Sequence, residues 1–433
     1  MFLPKLLTAA ALAVALIPVT TAQAAAPWSD PVAVPGSQAG GGPQVLFTRT
    51  RGGAVAFNGA GSIPGAPTLR SLLGDAGPQN PTTWSGAPDF DTTFSAWAAG
   101  DRIMYVGPSG RRVKIGIAPG PSSTWTTTLR GPDTGGARVA ATAVPHAGTA
   151  GAFATFEGGG GYVYLVRQLG THAPSATQRV SDKRASIRSV AVAMNASGDV
   201  LTAWDLHGTV QARFWYGSSK RFGPIQNLGK VNAAMHLSVA LGNDRRATVA
   251  WVDQRVSEGN TGQNATVWAT SRSASRGFLL PAKQLEAYPD TTIPGGTVIQ
   301  AAYTSTGRGI IAWSGRNAVR AALVNGRSIG APQDLAPIAP TDSLQAIGLG
   351  NLVTSSGGAA AVTMIAPVDA TNNQILVAPL SNGAAAFGPA EAASAPGPFL
   401  ADPSAGFDFT TNQLTVAWRV PQSGIALATR PTP

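Results

Sequence analysis

Short apolar runs alternate along this chain with clusters of glycine, asparagine, serine and proline. The clearest copy of the pattern spans Asn195 to Gly229. Just upstream, Ser189-Val-Ala-Val-Ala-Met194 puts small apolar residues on both faces of an extended segment. Asn195-Ala-Ser-Gly-Asp199 is a turn cluster. Val200-Leu-Thr-Ala-Trp204 is a second apolar run ending on a large aromatic, and Asp205-Leu-His-Gly208 turns again. Thr209-Val-Gln-Ala-Arg-Phe-Trp215 alternates as a half-exposed strand does. After Gly217-Ser-Ser-Lys220, Phe222-Gly-Pro-Ile-Gln-Asn-Leu228 is polar and carries a proline suited to a sheet edge. The pattern predicts four short strands in a meander. The first two are covered on both faces and the last faces water, the gradient of a radial blade.

The unit recurs. Positions equivalent to Trp204 are Phe57, Val106, Phe156, Trp251, Trp313, Thr363 and Trp418, spaced 47 to 62 residues apart. A period of about 50 residues suits a four-stranded propeller blade. An exposed Trp stacks on sugar rings, whereas a Trp at a fixed place in each unit packs against the next unit. The fixed register favours packing for Trp204, Trp251, Trp313 and Trp418. Outside the first 26 residues no stretch sustains a helical period, and Leu69 to Leu73 allows one helical turn at most.

With its Gly-to-Ala-Trp strand, the Val-x-Ala strand after it and the Phe-Gly-Pro closer, the repeat resembles secreted bacterial β-propeller repeat proteins over residues 27–433. The resemblance implies an all-β fold forming a single β-propeller. Closers can be counted separately, at Trp28, Trp84, Trp125, Phe222, Phe278, Ile329 and Phe387, with one expected near Ala176 to Val180. Eight closers and eight Trp-type strands predict eight four-stranded blades. They are out of phase: the first closer precedes any first strand, and the last unit ends without one. The N-terminal strand, near Val32 to Val34, is therefore expected to pair with Ile425 to Thr429 and close the last blade.

Composition adjusts this picture at a few points. In 433 residues there are 52 Gly and 33 Pro, but 44% hydrophobic content provides a core, so these residues mark turns rather than disorder. Residues 1–26 read as a secretory signal: Lys5, then an apolar stretch from Leu6 to Val19 interrupted by Pro18, then Ala22-Gln-Ala24 as the cleavage site. That stretch is too short to span a bilayer comfortably, no later segment is a transmembrane helix, and the expected location is outside the cell or at the envelope. The absence of cysteine excludes disulfides, thiolate metal sites and cysteine nucleophiles. The net charge of +10 suits an anionic partner, or simply a soluble arginine-rich surface. Arg111-Arg112-Val-Lys114 is the one tight basic group, which argues against nucleic acid.

Signals for chemistry are sparse. No G-x-S-x-G elbow occurs, and His146, His172, His207 and His236 are scattered singly, so neither a catalytic triad nor a metal site is expected, and no cofactor. Sialidase-like propellers carry Ser-x-Asp-x-Gly-x-x-Trp turns; Ser197-Gly-Asp-Val lacks that spacing. The expected function is non-catalytic binding or scaffolding by a secreted monomer, with a protein or an acidic cell-surface polymer as partner. The alternative is an extracellular carbohydrate-active hydrolase or lyase on the same fold. The long connections Val252 to Asn264, Glu286 to Gly296 and Ile365 to Asn373 are expected at one end of the repeat array, where insertions often carry binding. The candidate binding residues are Asp253, Arg255, Glu258, Tyr288, Asp290, Asp369, Asn372 and Asn373.

Overall fold

The computed structural model describes residues 27–432 except 38–41, 49–51, 59–67, 75–76, 84–94, 100–101, 110–111, 119–121, 123–125, 131–137, 144–149, 157–160, 170–174, 184–186, 188, 233, 257–262, 289–297, 316–317 and 338–347. The expected signal, residues 1–26, lies outside the described residues. Among those described, every regular element is a strand, and the strands form eight antiparallel sheets. The fourth sheet shows how the pattern folds. Val190–Met194 pairs with Val200–Asp205, which pairs with Thr209–Tyr216. His207 and Gly208 make the two-residue hairpin turn with φ of 46° and 76°, the left-handed geometry that matches strand twist.

The fourth strand differs from the single edge strand expected. In the first, fourth, sixth and seventh sheets it is two short pieces on the same third strand. In the fourth sheet Arg221–Phe222 and Gln226–Lys230 both pair with Thr209–Tyr216. Pro224 stands in the gap, as Pro81, Pro332 and Pro396 do in the other three sheets. Proline has no N–H to give the ladder, so the edge breaks there and the water-facing side tolerates the break.

The N-terminal segment belongs to the eighth sheet. Val32 pairs with Leu427 and Ala33 with Ala426, and Val34 N donates to Ile425 O at 2.8 Å. Gly424–Pro431, Gln413–Val420 and Ala401–Asp408 complete that sheet.

First strands of successive sheets lie side by side. Gln44–Phe47, Ser95–Ala99, Arg138–Ala143, Val190–Met194, Ala234–Leu241, Ile299–Tyr303, Gly348–Thr354 and Ala401–Asp408 each contact the next, and the last contacts the first. Polar side chains on these strands bond to a neighbour's backbone. Ser238 Oγ accepts from Ala301 N at 2.9 Å. Gln300 donates to Gly350 O and accepts from Leu352 N. Asn351 does the same with Ala405 O and N. Ser404 Oγ accepts from Val45 N at 3.1 Å, which carries the series from the eighth sheet to the first. These bonds satisfy backbone groups on first strands, groups that would otherwise be costly to leave without a partner.

Between sheets, the second-strand aromatic is the wedge. Trp204, Trp251 and Trp313 are fully buried and Trp418 nearly so. Each packs on the preceding sheet: Trp204 against Val163, Leu165 and Val180, Trp251 against Leu201 and Leu228, Trp313 against Val267 and Tyr288, and Trp418 against Ile375 and Val377. Phe57 occupies this place in the first sheet and packs on Ala417 and Leu427 of the eighth.

Candidate functional site

A meander has two kinds of end. Turns from first to second and from third to fourth strand share one, the turn end. Turns from second to third strand share the other, the linker end, with the connections to the next sheet. The described candidate binding residues of the sequence belong to the linker end. Two of the three expected loops prove to be extended hairpins: Ala247–Val256 pairs with Gln263–Arg272, and Ala360–Pro367 with Asn372–Leu380. The ladder simply continues past the core, through polar runs such as Asp253-Gln-Arg255 and Asn372-Asn-Gln374. The start of the third, Glu286 to Tyr288, is strand as well, within Lys283–Tyr288.

Asp253 is therefore a strand residue, buried, and accepts from Asn232 N at 2.7 Å and from the Asn232 amide. Arg255 pairs through its backbone with Asn264, and Tyr288 is buried among Val267, Ile299 and Trp313. Burial raises the Tyr288 pKa. Glu258 and Asp290 lie outside the described residues. In the seventh sheet Asp369 organises its own turn. It accepts from the Asn372 side chain at 2.7 Å and from the backbone N–H of Thr371 and Asn372, which hold its pKa at about 2. Asn373 donates to Leu400 O, tying the seventh sheet to the strand that follows. The fifth-sheet and seventh-sheet groups are thus separated by the sixth sheet, and most of the described side chains serve the scaffold. Sequence reasoning missed Phe399 beside them. It is 56% exposed with φ of 48°, and its N–H bonds Thr371 O in the same turn as exposed Val368. Its only sequence signal is the preceding Pro396-Gly-Pro398 turn.

The turn end gathers charge instead. Lys220 and Arg221 come from the fourth sheet, Arg245, Arg246 and Arg276 from the fifth, and Arg308 and Arg327 from the sixth, all exposed or half-exposed. Two acids stand among them, and each is paired. Arg245 Nε meets buried Asp199 at 2.7 Å, and a hydrogen bond to that carboxylate raises the arginine pKa. Arg246 Nε meets Asp244 Oδ2 at 2.8 Å. At the linker end, Asp253, Glu286, Asp369 and Asp402 stand with Lys230, Arg255, Arg320 and Arg419, so the two signs are mixed there. The turns that carry these basic residues are far apart in sequence, but each repeat delivers its turns to the same end, so the fold collects them. Of the one tight basic group in the sequence, Arg112 and Lys114 lie on the second sheet, their side chains outside the described structure, and Arg111 lies outside the described residues.

These turns are braced against one another. Asn195 Nδ2 donates to Gly242 O, and Asn243 Oδ1 accepts from Ala196 N. Arg246 Nη1 donates to Gly307 O at 3.1 Å, and Arg308 Nη1 to Ala384 O. Tyr303 beneath them bonds Thr248 Oγ1, and burial pushes its pKa up to about 12. Where the fifth, sixth and seventh sheets meet, the turns border an open cavity of about 490 Å³ lined by Arg246, Thr306, Arg308, Asn325, Ser328 and Asn382, with no acid among the described residues of its wall. Among the described residues no three metal-ligating side chains converge.

The chain matches no protein-family profile and no curated protein sequence. Among solved structures it is similar to the Dos1 propeller, at 12% identity over 93% of this chain and 94% of that one, with a TM-score of 0.51. It is also similar to a polysaccharide lyase described as an ulvan lyase, at 11% identity, 92% and 95% coverage and a TM-score of 0.44. The β-propeller domain of Cps50 (Swd1) from Myceliophteria thermophila matches at 10% identity, 94% and 99% coverage and a TM-score of 0.42. The eight antiparallel sheets, their side-by-side first strands and the likeness to the Dos1 propeller together make this chain a β-propeller.

Proposed function

We propose that this chain is a secreted, non-catalytic binding propeller of eight blades, closed by its N-terminal strand, and that it holds an acidic cell-surface polymer on the basic turn end. The observation that carries the partner class is the charge arrangement: seven exposed or half-exposed basic side chains on three consecutive sheets, against two acids already paired. Such a surface attracts polyanions at long range and releases them in salt. Closure is supported by the Val32–Leu427 pairing and by Ser404 bonding Val45 N across the same seam. Secretion is supported by Lys5, the apolar stretch and Ala22-Gln-Ala24, and mass spectrometry of exported protein should find a start near Ala25.

A glycoside-hydrolase reading needs carboxylates that converge, about 5 to 9.5 Å apart. The eight first strands carry two acids, Asp402 and Asp408. They sit near opposite ends of one strand, roughly 20 Å apart at the rise of an extended chain. Asp402 pairs with Arg419, and Asp408 accepts from Thr410 and Thr411.

The test is affinity electrophoresis and sedimentation of the mature chain with polygalacturonate, a neutral glucan and duplex DNA, at low and high salt. Retention by polygalacturonate, weakened by salt and by Lys220→Glu with Arg276→Glu, is the expected result. Equal retention by the neutral glucan, tighter binding of DNA, or release of oligosaccharide from the polymer would each overturn the reading.

A further inference from the structure

We infer that the cavity between the turns of the fifth, sixth and seventh sheets is a subsite for one anionic sugar unit, with its carboxylate or sulfate group between Arg246 and Arg308. This rests on the reading of the turn end as a polyanion surface and assigns the point where that surface becomes specific. The volume, about 490 Å³, lies within the range of small-ligand pockets and admits a single sugar ring with part of a neighbour.

Both guanidiniums are already positioned. Arg246 is fixed by Asp244 at Nε and by Gly307 O at Nη1, and Arg308 by Ala384 O at Nη1. Each keeps Nη2 without a protein partner among the described residues, so donors remain for an incoming anion. A side chain held before binding loses less rotamer freedom when the ligand arrives. Guanidinium forks also match carboxylate and sulfate oxygens better than ammonium does.

The rest of the described wall is neutral, apolar at Leu323, Val324 and Ala385 and hydrogen-bonding at four side chains. Asn325 and Asn382 offer amides, and Thr306 and Ser328 offer hydroxyls. These groups suit ring hydroxyls, which both donate and accept. Among the described residues no aromatic side chain lines the cavity, so a nucleobase finds no platform there to stack on. Turn glycines keep the rim open. Gly326 and Gly383 have φ of 60° and 79°, and a Cβ built on either would meet no atom within 4 Å.

Calorimetry with the mature chain tests this, using trigalacturonate, maltotriose and inorganic sulfate as separate probes. Trigalacturonate should bind one to one, maltotriose should not, and sulfate should compete weakly. Arg246→Gln should weaken trigalacturonate roughly tenfold or more. Ser328→Trp fills the cavity from an exposed strand end without changing charge, and should weaken it as much while melting stays unchanged. Lys220→Gln with Arg276→Gln, outside the cavity, should weaken polygalacturonate but leave trigalacturonate unaffected. Should the polymer bind while trigalacturonate does not, or should Ser328→Trp bind trigalacturonate normally, the subsite is wrong and the polyanion surface stands. Should neither bind, both fail. Equal binding of maltotriose would remove the anionic requirement, and sulfate binding as tightly as trigalacturonate would leave an anion site with no sugar recognition.

Discussion

The indole N–H of Trp313 donates to Glu286 Oε2 at 2.6 Å across the boundary between the fifth and sixth sheets. Glu286 also pairs with Arg320, which meets Asp334 at 2.6 Å, so a buried aromatic is joined to a chain of charges that reaches the surface. The same place in the fourth sheet is Gly229. Glu286 faces Val267 and Gly229 faces Val210, each just before a bulge in its ladder. There the facing Trp251 has its Nε1 without a partner, and the glycine backbone closes against the ring. One wedge thus has a polar and an apolar form.

Glu286→Ala should cost about 1–3 kcal/mol in chemical denaturation, because it leaves a buried indole N–H without its acceptor and a half-buried Arg320 with Asp334 alone. Glu286→Gln should retain part of this through its amide oxygen. An alanine variant as stable as the parent would mean the bond contributes nothing.

The apolar form fails by crowding. A Cβ at Gly229 would stand 3.0 Å from Trp251 Cζ2, so Gly229→Val should destabilise the chain and shift Trp251 fluorescence. Truncating the wedge itself, as Trp204→Ala, Trp251→Ala or Trp313→Ala, should cost roughly 3–5 kcal/mol each. A loss well below that for any of the three would show a loosely filled boundary.

How much of this was legible in the sequence depends on the range of the cause. The strand order around Trp204 follows from local signals, alternation and Asn195-Ala-Ser-Gly-Asp199, and the structure keeps it. Pro224 was visible as an edge residue, yet its effect on the ladder depends on Thr209–Tyr216 lying alongside, so the split outer strand was not read. Asp253 and Asp369 looked like loop ligands because they are polar. Their partners, Asn232 on another segment and the turn N–H groups of Thr371 and Asn372, appear only once the chain is folded. The basic end was hidden for a geometric reason. Lys220, Arg246 and Arg308 are distant in sequence and become neighbours only because each repeat returns its turns to one end.

Acid should weaken the fold through His236, on the first strand of the fifth sheet. Burial lowers its pKa below the ordinary 6.5. Between the lowered value and 6.5 the unfolded chain binds a proton that the folded chain does not, so stability falls as pH falls through that window and is unaffected above it. Denaturation midpoints measured from pH 7.5 down to 5 should decline less steeply in His236→Gln than in the parent. Parallel declines would assign the pH dependence to other groups.

Residues 27–36 should matter more than an ordinary terminus. Val32 and Ala33 pair with Leu427 and Ala426, Val34 is buried with Phe57 and Leu427, and Ser37 Oγ accepts from Ile425 N at 2.8 Å. Deleting the segment uncovers the edge of Gly424–Pro431 and strips the cover from an apolar cluster shared by the first and eighth sheets. Melting should drop sharply, the exposed edge should promote association, and a synthetic peptide of residues 27–37 added in excess should restore both. Ser37→Ala separates pairing from burial. It removes the acceptor for Ile425 N together with the hydroxyl's own bond to Val34 O, and should cost about 1–3 kcal/mol, as for a buried N–H left without a partner. A deletion variant that melts like the parent, or a peptide that rescues nothing, would mean the N-terminal strand decorates the eighth sheet rather than sealing it.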